Sequence, residues 1–132
     1  MKKILSTLPL DTDLAALLLR LIFGGLFVYH GYIKFDGYEQ FQAMFPDLIG
    51  IGGPLSFNLV LFAELGCGFL VLIGLYTRFA VIPILITMVV AFFIAHGAQS
   101  FDDKELPFAL MMLSLVVFVL GSGKYSADKM IP

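Results

Sequence analysis

The chain has 132 residues, 60% of them hydrophobic and 14% charged, with a formal net charge of −2. Soluble domains run at about 45–50% apolar and about 25% charged, so this composition excludes a soluble enzyme and a disordered tail. Eight Lys plus Arg against ten Asp plus Glu leave no basic patch for nucleic acid.

What fits is a small polytopic membrane protein, one domain over residues 1–132, with the lipid bilayer as its main partner. The first segment, MKKILSTLPLDTD, has the basic start of a signal peptide but meets Pro9, Asp11 and Asp13 before any long apolar run. It is expected to stay attached. Beyond it, long apolar blocks dominate over short alternating segments, which favours helices over a barrel. The blocks predict four spans at about 14–33, 55–76, 79–97 and 106–121. The expected fold is an all-α, four-helix membrane bundle.

In the first span Arg20, Phe23, Gly24, Phe27, His30, Gly31 and Lys34 share one face at helical spacing, and Leu18, Leu21, Ile22, Leu26, Val28 and Ile33 suit lipid. In the loop that follows, Tyr38, Phe41, Met44 and Phe45 recur at helical spacing before Pro46. They predict a short amphipathic helix over 37–45 on the outer face of the bundle. In the second span Glu64 shares its face with Val60, Cys67, Gly68 and Val71, while Ala63 and Cys67 form a small-residue strip suited to close helix packing. Cys67 is the sole cysteine, so dithiol chemistry would need a second protein. In the third span His96 follows Leu85, Val89 and Phe92, and Glu105 opens the fourth. Pro83 and Pro107 are expected near helix beginnings.

Lys2, Lys3, Arg78, Lys124 and Lys129 fall on one side of these spans, and Lys34 and Lys104 on the other. That bias, with an even number of spans, predicts a multi-pass protein with both termini cytoplasmic.

Ionisable groups inside spans carry the functional information, because a charge at the bilayer centre costs about 2.5–3.5 kcal/mol on insertion scales. Arg20, His30, Glu64 and His96 are such groups. Counting along the helices predicts two layers. The deep one is Arg20 with Glu64, either a buried ion pair fixing helix register or a proton or ligand handle. The outer one is His30, His96 and Glu105, roofed by 37–45. Phe27, Phe92 and Phe93 could seat a ring there, with Tyr38 and Phe41 closing over it. Three chemistries stay open for the histidines: axial ligation of a haem iron, a divalent metal held with Glu105, and hydrogen bonds to a quinone head group.

Taken in order, Arg20-Leu21, Phe27-x-x-His30-Gly31-x-x-Lys34, Glu64-x-Gly66-x-Gly68, Gly74-Leu75-Tyr76-Thr77-Arg78, His96, Glu105-Leu106-Pro107 and Gly121-Ser122-Gly123-Lys124-Tyr125-Ser126 resemble the DoxX family of small membrane proteins. The resemblance covers about residues 14–128, nearly the whole chain; the 37–54 loop departs in being longer and more aromatic. It implies a four-helix bundle in the bacterial cytoplasmic membrane and an association with redox or quinone chemistry, since the family takes its name from subunits linked to thiosulfate:quinone oxidoreductase. Two classes of function follow. One is a quinone-linked oxidoreductase subunit or redox accessory protein with a soluble or membrane redox partner. The other is a non-catalytic anchor, assembly factor or small transporter. A homo-oligomer is compatible with either.

Overall fold

The computed structural model describes residues 2–131. It is all helical among the described residues: α1 Lys2–Leu5, α2 Thr12–Asp36, α3 Tyr38–Met44, α4 Gly53–Ile73, α5 Thr77–Ala95, α6 Phe101–Leu120 and α7 Ala127–Met130. Helices α2, α4 and α5 are long and apolar enough to cross a membrane. Helix α6 matches them in length, but Asp102, Asp103, Lys104 and Glu105 crowd its first turns.

The boundaries follow from local chemistry. Asp11 caps α2 by accepting from the Asp13 and Leu14 amides at 3.0 and 3.1 Å, which starts the helix earlier than its apolar run. At its other end α2 continues to Asp36, so Lys34 belongs to the helix and not to the loop. Gly53 and Pro54 open α4, where the missing proline N–H costs nothing. Gly74 ends it in the left-handed region at φ 76°. Pro83 does not mark a beginning, because α5 starts at Thr77 and runs through it. Pro107 does follow a break: Lys104 is non-helical at φ −120°, ψ 18°, so the proline falls in the first turn after the kink.

Two stretches are wound as π-helix, Phe62–Cys67 within α4 and Ala91–Ala95 at the end of α5. Such turns shift the ladder by one residue and gather at functional sites.

Helices α2 and α4 run antiparallel and nearly in backbone contact. A Cβ on Gly24 would lie 2.7 Å from the Leu72 amide nitrogen, and one on Gly31 would lie 2.7 Å from that of Leu65. Small residues are what such an approach requires. Phe23, Phe27, Val71, Val81, Ile84 and Val117 fill the core between α2, α4, α5 and α6, with α6 lying along α5 and touching α2. Phe79 and Val119 face outward, as lipid contacts should. The short helix α3 is present, and its flanks dock through Tyr38 and Phe45, whose rings meet the buried Phe57 edge-on, each 5.5 Å between centroids.

The adjacent pair Gly24-Gly25 tests this register. Gly25 has nothing within 4 Å of an added Cβ. Gly25→Ala is therefore expected to leave the thermal midpoint in detergent unchanged or to raise it, by up to about 1 kcal/mol of helix propensity. Gly24→Ala should lower stability by about 1–3 kcal/mol through overpacking. Equal midpoints for the two variants would refute the close approach.

Candidate functional site

At the loop end of the bundle, α2, α4, α5 and the 45–49 segment enclose a cavity of about 360 Å³. Its polar lining is Lys34, Ser56, Glu64, Thr87 and His96; the rest is apolar, including Val60, Met88 and Val90. Lys34 Nζ donates to Glu64 Oε2 at 2.8 Å. Among the described residues this is the one ion pair within 4 Å. Glu64 is buried, while Lys34 keeps about a quarter of its side chain exposed (25%). Both π turns border the cavity: Glu64 sits in the first, and Ala91 and Ala95 of the second line the wall just before His96. The extra residue in each turn aims these side chains inward from helices whose other faces meet lipid.

Arg20 does not pair with Glu64. In the register set by Gly24 and Gly31, Glu64 is level with the Gly31 turn, about 11 residues or roughly 16 Å from Arg20 along the axis. The expectation failed because it aligned the midpoints of the apolar runs, whereas the glycine contacts decide the register. Arg20 is instead fully buried at the opposite end of the bundle. Its guanidinium donates to the carbonyls of Leu72 at 3.1 Å, Val71 at 3.5 Å and Tyr125. It thereby serves the Leu72 carbonyl at the end of α4 and adds a second donor to that of Val71, which also accepts from the Gly74 amide at 3.1 Å.

That end is built from side chains bonded to backbone. Asp128 accepts from the Tyr76 amide at 2.7 Å and the Thr77 amide at 3.5 Å, at the start of α5. Arg78 donates to the Phe118 and Val119 carbonyls at 2.8 and 3.3 Å, at the end of α6. Asp13 accepts from the Lys124 amide at 3.1 Å. Each joins the tail or one helix terminus to another. This is structural chemistry, and it satisfies both terminal nitrogens of Arg20, leaving its Nε without a partner.

The outer layer is only partly assembled. His96 lines the cavity, with Nδ1 2.8 Å from Gln99 Oε1. His30 does not; its ring stacks on Tyr29, 5.7 Å between centroids. Glu105 is exposed and lines no cavity. Phe27 is core, tilted against Phe23 at 4.8 Å. Phe92 packs on Phe93 and Phe108 and carries the Lys104 ammonium over its face at 4.6 Å. Phe93 is exposed. Of the 37–45 segment only Phe45 reaches the cavity, and the roof continues through Pro46, Leu48 and Ile49; Tyr38 turns its hydroxyl to Asn58. Among the described residues no three His, Cys, Asp or Glu side chains cluster as metal ligands. Axial haem ligation by His30 and His96 also lacks a shared cavity.

Lys34, Ser56 and Thr87 are the lining groups that composition and depth did not single out. Lys34 already lay on the Arg20–His30 stripe; it was discounted as a loop residue because the apolar run stops at Ile33.

The family model described as DoxX matches residues 15–97, a stretch that contains Arg20 and every polar residue lining the cavity. The chain belongs to the DoxX family. An uncharacterized protein of Haemophilus influenzae is 25% identical over 130 residues, covering 92% of this chain and 86% of that protein. No solved structure matches the chain. The chain is thus a DoxX-family membrane protein whose matched region carries the cavity.

A double-mutant cycle on thermal stability separates the two arrangements. Lys34→Met and Glu64→Leu should each destabilise, by less than the 3–5 kcal/mol typical of a fully buried pair because Lys34 is partly solvated. Their coupling is expected at about 1–3 kcal/mol. Arg20→Met and Glu64→Leu should instead add to within about 0.5 kcal/mol. Coupling in the second cycle and none in the first would restore the Arg20–Glu64 pair.

Proposed function

We propose that this DoxX-family chain is a quinone-binding subunit of a membrane redox system, with the head group seated in the cavity at Lys34 and Glu64. The observation that carries the reading is an ion pair facing an otherwise apolar cavity within helices of membrane-spanning length. Small-molecule sites combine apolar walls with a few convergent polar groups, and an ionisable pair inside spans marks ligand or proton handling more often than packing alone. The Lys34 ammonium is a donor for a quinone carbonyl, and Glu64 is a carboxylate that can take or return a proton. His96, which lines the same cavity, has ring nitrogens that can donate or accept a hydrogen bond and offers a second proton route toward the loop surface. His30 and Glu105 have no part in this site. Electrons come from a soluble or membrane redox partner, because the chain's single cysteine provides no dithiol couple.

In the same reading α6 is a fourth span, its acidic first turns at the outer surface, and the protein is a four-helix bundle of the bacterial cytoplasmic membrane. With Lys34 paired inside α2, Lys104 at the kinked start of α6 is the other cation on the outer side, which keeps the positive-inside bias. A reporter fused after residue 132 is expected to be active only in its cytoplasmic format. Activity of a periplasmic-only reporter there would invert the topology.

Titration of a short-chain benzoquinone into the protein in nanodiscs, followed by calorimetry, tests the ligand. The Lys34→Met/Glu64→Leu double variant, which removes both charges together, should bind at least about tenfold more weakly, a loss of about 1.4 kcal/mol. His30→Gln should bind as the wild type does. Equal binding by the wild type and the double variant would leave the non-catalytic anchor, assembly factor or transporter as the better reading.

A further inference from the structure

The cavity is closed and open on different sides. Toward the loop end it is covered by Phe45, Pro46, Leu48 and Ile49. That cover is held in place by the Phe45 ring against Phe57 and by Asp47, which accepts from the Gly50 amide at 2.9 Å. Toward the bilayer its lining includes Leu59 and Ile86, which are 48% and 58% exposed on the outer faces of α4 and α5. The two helices pack together through the π turn of α4 and the 68–73 stretch that follows it, whereas the first turns of α4 and the last turn of α5 make no comparable contact. A groove is left between them with apolar walls: Leu59 and Val60 on one side, Ile86 and Val90 on the other.

Inside the same cavity one polar group is unspent. Ser56 is 5% exposed, and its Oγ has no hydrogen-bond partner. Hydroxyls within helices ordinarily bond back to the carbonyl one turn earlier. Thr87 and Ser114 do so here, each at 2.8 Å, to Pro83 and Leu110. Ser56 does not, although its amide donates to the Gly52 carbonyl at 3.0 Å. A buried hydroxyl without a partner, in the wall of a cavity that also holds a charged pair, is free to bond a ligand there.

Resting on the quinone-site reading, we propose a route and a ligand shape. The ligand slides in sideways from the bilayer between Leu59 and Ile86; its head group is bonded by the Ser56 hydroxyl, and its single apolar chain stays in the groove. The site therefore selects a lipid-phase amphiphile over a water-soluble metabolite.

Two photoreactive benzoquinones in phosphatidylcholine nanodiscs test this on the wild-type chain. One carries an azide on the ring; the other carries a decyl chain ending in a diazirine. The ring probe is expected to label the peptides around Ser56, Glu64 and His96, and the chain probe those around Leu59–Val60 and Ile86–Val90, both competed by unlabelled decyl-benzoquinone. Chain labelling on residues 45–51 instead would overturn the sideways route and leave the quinone site standing. Absence of competable ring labelling would overturn the site itself, and this inference with it. Ser56→Ala should weaken decyl-benzoquinone binding about fivefold, the scale of one hydrogen bond, with Ser114→Ala as the unaffected control. Unchanged affinity in Ser56→Ala would remove the hydroxyl from the site.

Discussion

The near contact of two backbones, α2 against α4 at Gly24 and Gly31, is the constraint on which the rest depends. With no side chain between them, the helices can slide only in steps that bring another small residue to the crossing, so the register is fixed within narrow limits. That register puts Arg20 level with the last carbonyls of α4 and Lys34 level with Glu64. Both ends of the molecule follow. A shift of one turn, about 5.4 Å, would strand both cations away from their partners in a medium that offers no water to replace them.

The two cations are satisfied in different ways, and the difference separates structure from function. Arg20 meets carbonyl oxygens, neutral groups that the end of a helix leaves over in any case. Its surroundings are tight: a Cβ on Gly74 would fall against the guanidinium. Lys34 meets a carboxylate directly, at the edge of a cavity that also holds a hydroxyl with no partner. The first cation ties backbone ends together, and the second faces a space that a small molecule can enter.

Composition and hydrophobic blocks were enough to read the helical class, the placement of the long helices to within a few residues and the short helix after the first span, while the family was legible in the order of short motifs such as Phe27-x-x-His30-Gly31-x-x-Lys34. The first three are properties of single segments, and a single segment displays them. The pairing of Arg20 was not legible, because it depends on which residues of two helices touch, and apolar runs of uneven length give no common origin for counting. The outer layer failed for a related reason. His30 and His96 share a depth, but a helix presents a given depth on every side, and only packing says which side faces the cavity. The π turns were hidden as well, since one extra residue per turn leaves no trace in an apolar stretch such as Ala91–Ala95. Thr87 and Ser56 could have been flagged as hydroxyls inside spans, where few polar groups are idle.

The bond from Arg20 to the Tyr125 carbonyl joins residues 105 positions apart. During synthesis the arginine emerges well before this partner. Until Tyr125 is in place, Arg20 has the Leu72 and Val71 carbonyls of α4 for one terminal nitrogen and must draw bonds for the other from water or lipid phosphates, which a long side chain can reach from a span. Docking of the 121–131 tail then withdraws it into the bundle, and through Asp128 the same step secures the start of α5. The helices can thus gather before this end is locked, and the lock closes only when the tail docks.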